Sequence, residues 1–215
     1  MDPMDPMAPV PAEAILVVLD GMLKECGDEW DQPPEWGFLY APPLSLTAEV
    51  AEEVDADVSA VRGVMAAPVA LPLEAWRQFG SPLELVGMFA ALLKEPDSDR
   101  GAAIVRKLRS TAPVMGAWLR VEAWAPPVRL EAEYARRRRA GKDMDLSVLP
   151  DRLESRVAWA ADAWGRNFVG RRVRDSDEFE WDWTEPGRDR LSAHHPALVH
   201  LRTMVDAVAT PLPTV

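Results

Sequence analysis

The segment 154–183, ESRVAWAADAWGRNFVGRRVRDSDEFEWDW, constrains the fold more than any other part of the chain. Apolar and polar residues alternate through it with the two-residue period of a strand. Two short breaks divide it into strands at 154–162, 166–174 and 178–183. The first break, Ala163-Trp164-Gly165, suits a three-residue hairpin loop, with Gly165 left-handed in a bulge. A three-residue loop at 175–177 sets the second register. It predicts Arg174 opposite Glu178 and Arg172 opposite Glu180. On the other face it predicts Val173 opposite Phe179, Arg171 opposite Trp181, and Val169 opposite Trp183. Trp159, Val169 and Trp183 then share a buried face. Each such pair contributes roughly 0.2–1 kcal/mol, and a slip of one residue would mix the charged and aromatic sets.

The remaining pattern supplies helices and two further strands. Residues 11–26 carry an apolar stripe, Ile15, Leu16, Leu19, Met22 and Leu23, at helical spacing. In WDQPPEWGFLY, the pair Pro33-Pro34 stiffens the passage from this helix into a short aromatic strand. Residues 46–63 read as a helix with Thr47 as cap, or as a loop with a short helix. Residues 71–80 and 81–96 read as two helices, the second with Ser81 as cap, Pro82 at the first position and Glu84 three beyond the cap. A short helix at 97–111 precedes a strand at 114–127, where Ala117, Leu119, Val121 and Ala123 alternate with Trp118, Arg120, Glu122 and Trp124. A helix at 128–142 ends in four arginines, and a last helix spans 196–208. The order predicts an α+β fold: one mainly antiparallel sheet with a C-terminal three-strand meander, and helices packed on one face. Residues 1–10 read as a disordered arm, 11–209 as one domain and 210–215 as a frayed tail.

Charge bounds the partners. The net charge is -11, which disfavours bare nucleic acid as a ligand because phosphate recognition needs a basic surface. Residues 1–100 hold 19 acids against 5 bases, whereas 128–174 hold 12 bases against 7 acids. The single cysteine, Cys26, excludes an internal disulfide and points to a reducing, cytoplasmic setting. The start MDPMDPMAPVP is acidic and proline-broken, unlike a signal peptide. No apolar window reaches the length of a membrane span.

Catalytic and cofactor motifs are missing. There is no G-x-S-x-G, no phosphate-binding glycine loop, no G-x-G-x-x-G and no H-E-x-x-H, so no cofactor is expected. His194, His195 and His200 lack ligand spacing, and no cysteine lies near them, so no metal is assigned and a polar helix start is the reading. Cys26 sits at the end of a helix that does not stabilise a thiolate. Two candidate surfaces remain. The first joins the loop-border tryptophans Trp30, Trp36 and Trp164 to the run Arg136, Arg137, Arg138 and Arg139, as an interface for a protein partner. Each of these also has a structural reading, as a core plug or a solvated helix end. The second is a pocket between the sheet and the helix at 129–140, with Arg120, Glu122 and Tyr134 as polar lining.

WDQPP after an N-terminal helix, together with the hairpin VAWAADAWGRNFVGRRVR, resembles small actinobacterial or actinobacteriophage proteins of no known activity. The resemblance covers about a fifth of the chain. It implies an intracellular α+β protein and brings no site residues. Three functions are compatible with this sequence. The first is a non-enzymatic binding or regulatory protein acting through a protein partner. The second is a small-ligand binder or enzyme using the pocket. The third, an acidic mimic of nucleic acid, rests on charge alone.

Overall fold

The fold is described from a computed structural model. Residues 9–25, 30, 32–41, 63–71, 74, 77–95, 99–111, 113–140, 142, 144–176, 178–186 and 195–209 are described, less a few side chains, among them those of Arg138 and Arg139. Residues 46–62 of the possible helix, residues 72, 73, 75 and 76 of the helix at 71–80, Cys26 and the 210–215 tail lie outside the described residues. Of the 1–10 arm, Pro9 and Val10 are described, and Val10 is buried.

Among these residues, six strands form one antiparallel sheet in the order β2-β1-β3-β4-β5-β6. They are β1 Glu35–Tyr40, β2 Met65–Pro68, β3 Val114–Ala125, β4 Leu153–Asp162, β5 Asn167–Val173 and β6 Phe179–Thr184. The helices are α1 Ala12–Glu25, α2 Pro82–Lys94, α3 Asp99–Thr111, α4 Glu131–Arg139 and α5 Pro196–Val208. The α+β class and the C-terminal meander agree with the sequence. No helix among the described residues is long and apolar enough to cross a membrane.

The helices occupy both faces of the sheet, which corrects the expectation of one. Ile15, Leu16, Leu19, Met22 and Leu23 of α1 pack on Trp118, Ala158, Ala160 and Phe168. Val86 and Ala90 of α2, with Leu201, Met204 and Val205 of α5, pack on Trp36, Phe38, Ala117, Leu119 and Ala161. Neighbours such as Trp118 and Leu119 alternate between the two cores, as the pleat requires. β3 is apolar on both sides over its first half, so the sheet needs a second layer there. A bulge near Met115 adjusts the alternation: Leu39 pairs with Gly116 and Tyr40 with Val114. Met115 thereby joins the α1 core, and its carbonyl accepts from the Ala163 amide at 2.8 Å.

Local signals explain the element ends. Ser81 Oγ accepts the Glu84 amide at 3.2 Å, and Pro82 occupies the first turn of α2. In the β4–β5 hairpin, the Asp162 amide donates to the Arg166 carbonyl at 3.1 Å, and Gly165 has φ +89°. That is the three-residue loop read from the sequence. A Cβ at Gly165 would also lie 3.2 Å from Pro186. Gly165→Val should therefore lower stability by about 1–2 kcal/mol. Arg174→Ala, which breaks an exposed pair with Glu154, should change it by less than about 1 kcal/mol. Urea denaturation of the two variants gives both values.

The second hairpin departs from its expected register. Arg171 lies opposite Glu180, Arg172 opposite Phe179, Val169 opposite Asp182 and Phe168 opposite Trp183. Every β6 pairing is shifted by one residue, so Trp159 and Trp183 lie on opposite faces. The expected pairings of Arg172 with Glu180 and of Arg174 with Glu178 are absent. Arg172 instead meets Asp20 of α1 at 3.4 Å. The connection runs over 174–178, longer than three residues, and holds Asp175 at φ +63°. Packing, not charge, favours this register. The doubled Arg171-Arg172 offers a partner to Glu180 in either pairing, so charge does not discriminate. Packing does: Phe179 and Trp183 gain the α1 core, and Trp183 stacks on Phe168 with centroids 6.2 Å apart.

β2 was not foreseen. Its sequence, Met-Ala-Ala-Pro, has little intrinsic strand preference. It sits at the sheet edge, where a proline is tolerated.

Candidate functional site

The sheet face opposite α1 is only partly covered. α2 and α5 pack over β1, β3 and the near end of β4. Farther along β4, β5 and β6, the face opens into a cleft of about 410 Å³. Its floor is built by pairing: Ala123 opposite Ser155 across β3 and β4, then Val157 opposite Arg171 and Trp159 opposite Val169 across β4 and β5. Glu180 and Asp182 of β6 continue the same face, opposite Arg171 and Val169. Pro126 and Tyr134 of α4 close one side, and His195 ahead of α5 closes another. Trp124 and Trp181 contribute to the rim.

Each polar group here has an identifiable support. The Arg171 guanidinium donates from Nε at 2.9 Å and from Nη2 at 2.6 Å to Oε2 of Glu180. Ser155 is buried and its hydroxyl donates to the Ala123 carbonyl at 3.1 Å. His195 Nδ1 accepts the Ala197 amide at 3.2 Å and so caps α5. Its ring stacks on Trp159, with centroids 4.8 Å apart and planes 19° apart. That cap agrees with the polar helix start read from the sequence. The cleft therefore offers small apolar floor residues, an indole, a phenol and a rim of ionisable groups, in the size range of small-molecule sites.

The sequence reading placed a pocket between the sheet and this helix, and Tyr134 lines the cleft. Arg120 and Glu122 do not. Alternation along β3 sends them to the α1 face with Trp118. Arg120 is buried, donates to the Met22 carbonyl at 3.2 Å and pairs with Glu35 at 3.0 Å. Glu122 pairs with Arg156 at 3.2 Å. Ala123 and Ala125 are the β3 residues of the opposite face that line the cleft.

The candidate interface residues separate. Trp36 is fully buried, against Phe89 at 4.4 Å between ring centroids, so it offers no surface to a partner. Trp30 is half-buried, with the Arg156 guanidinium 4.3 Å and the Arg174 guanidinium 5.2 Å from its ring. Trp164 packs on the α1 core, with Arg166 5.6 Å from its ring. Arg136 is exposed, and Arg137 pairs with Glu133 one turn earlier at 2.7 Å. The side chains of Arg138 and Arg139 lie outside those described. The three tryptophans thus belong to three separate regions.

The cleft residues missed in the sequence are Ser155, Val157, Arg171, Glu180, Asp182 and His195. Trp159 and Val169 are expected on a core face, without a cleft beside it. Reading the β5–β6 loop one register over would have aligned Arg171, Glu180 and Trp159 on one face. Comparison of the chain with protein-family models, with curated proteins and with solved structures finds no match.

Proposed function

We propose that this chain is a ligand-binding protein whose site is the cleft between β4, β5, β6 and α4. The observation that carries the reading is the composition of that cleft. An apolar floor lies under a rim bearing Arg171, Glu180, Asp182, His195 and Tyr134 in one concavity of about 410 Å³. Such sites bury the body of a ligand and orient it with a few polar groups. The tryptophans that suggested a protein interface are engaged within the chain, which favours the cleft over that surface.

Filling the floor tests the proposal. Val157→Trp places an indole where Val157 borders Arg171 and Val121, and circular dichroism confirms that the variant is folded. Compounds that raise the melting temperature of the wild-type chain should lose that effect in Val157→Trp. They should keep it in Val17→Ala, a change on the exposed side of α1. Compounds that stabilise both variants equally would place the site elsewhere.

A further inference from the structure

We propose that Asp182 guards the β6 edge of the sheet. Its carboxylate holds the outward amide of Trp183 and so keeps a second copy of this chain from adding its own β6 there. The inference goes beyond the cleft and stands whether or not the cleft takes a ligand.

The pairing fixes which way the β6 backbone faces. In the β4–β5 hairpin the Asp162 amide donates to the Arg166 carbonyl at 3.1 Å, and the Arg174 amide to the Glu154 carbonyl at 2.8 Å. Even-numbered residues of β5 therefore bond to β4, and odd-numbered ones turn to β6. Val169 lies opposite Asp182 and Arg171 opposite Glu180, so Glu180, Asp182 and Thr184 bond back to β5. The amides and carbonyls of Phe179, Trp181 and Trp183 face away from it. No strand lies beyond β6 among the described residues, so this row is a template for another strand. The Trp181 side chain, 55% exposed, adds apolar area that such a strand would cover.

Asp182 interrupts the row. Its Oδ1 accepts the Trp183 amide at 2.8 Å, on the edge that an added strand needs. The opposite edge of the sheet reaches the same end by another route. The Val69 amide donates to the Trp36 carbonyl, and Gly37 lies opposite Pro68, so Ala66 and Pro68 turn outward. Pro68 has no N–H to offer. Each edge thus withholds one outward donor, β2 through a proline and β6 through a carboxylate. A twofold antiparallel pairing of β6 centred on Trp181 identifies what is withheld. Trp183 of each copy would donate to the Phe179 carbonyl of the other, and both bonds are lost while Asp182 holds the amide.

Sedimentation equilibrium tests the proposal, with circular dichroism confirming that each variant is folded. Asp182→Ala should self-associate at least about tenfold more tightly than the wild type, because each pair of copies regains two backbone hydrogen bonds. Asp182→Asn keeps an oxygen that accepts the amide and should stay within about threefold of the wild type. Amide exchange in Asp182→Ala should slow at Trp181 and Trp183 as concentration rises, while Ala67 on the opposite edge does not change. Association of Asp182→Ala no tighter than that of the wild type overturns the proposal. So does equal association of Asp182→Ala and Asp182→Asn, or tighter association without slower exchange on β6.

Discussion

Arg166→Met should lower the stability of the fold by about 3–5 kcal/mol, the usual consequence of stranding one member of a buried ion pair. Asp162 is fully buried and Arg166 nearly so, and their side chains meet at 2.6 Å. Asp162 Oδ1 accepts the amides of Trp164 at 3.1 Å and Arg166 at 2.8 Å, which shapes the β4–β5 hairpin. Arg166 Nη2 donates to the Val10 carbonyl at 2.9 Å, holding the start of α1. Arg202 of α5 donates to the Asp162 carbonyl and, at 2.8 Å, to the Arg166 carbonyl. One cluster thus ties the hairpin to helices from both layers.

The defect should depend on pH, with a sign fixed by Asp162. Burial pushes its carboxyl above the ordinary 3.8, against the opposing pull of Arg166. A raised carboxyl contributes stability below its unfolded value and loses that contribution as pH rises through its folded value. Removing Arg166 deletes the opposing pull and raises the carboxyl further. Arg166→Met should therefore cost less as pH falls and Asp162 takes up a proton than at neutral pH. Urea midpoints across that range measure it. A pH-independent loss would mean that Arg166 acts through packing alone.

Gly37→Val should cost about 3 kcal/mol and detach β2 from β1. Gly37 lies opposite Pro68, and a Cβ there would stand 2.1 Å from the Ala67 carbonyl oxygen and 2.9 Å from the Pro68 Cα. These are backbone atoms, so no rotamer relieves the clash. Because β2 is an edge strand, the cheapest escape is for it to move away. The hydrogen bond from the Val69 amide to the Trp36 carbonyl at 2.8 Å would be lost with it. Amide exchange should accelerate at Ala67 and Val69 while Trp118 and Trp159 stay protected. Uniform acceleration would show instead that β1 itself is disrupted.

The legible parts of the fold were those in which one physical cause dominates. The α1 stripe, the Ser81 cap and the Gly165 loop depend on local spacing or local backbone geometry, and each stands where the sequence placed it. The β5–β6 register depended on two causes. Charge pairing is satisfied by either Arg171 or Arg172, so the choice fell to packing of Phe179 and Trp183 against α1, which no local pattern encodes. β2 was invisible because Met-Ala-Ala-Pro joins the sheet by position, not by propensity. For the site, Tyr134 was within reach because α4 was recognised and its contact with the sheet assumed. Arg120 and Glu122 were assigned to it because the sequence shows that residues of β3 alternate, without showing which side α4 covers.

The central claim is that the open half of this sheet face is a binding site. The most direct test is a ¹H–¹⁵N spectrum of the wild-type chain during titration with a compound that raises its melting temperature. The account predicts concentration-dependent shifts at the Trp159 indole and at the amides of Val157, Val169 and Arg171, while Ile15, Leu19 and Met22 of α1 stay still. Shifts centred on α1 residues, or none at Trp159 when binding is seen by calorimetry, would contradict it.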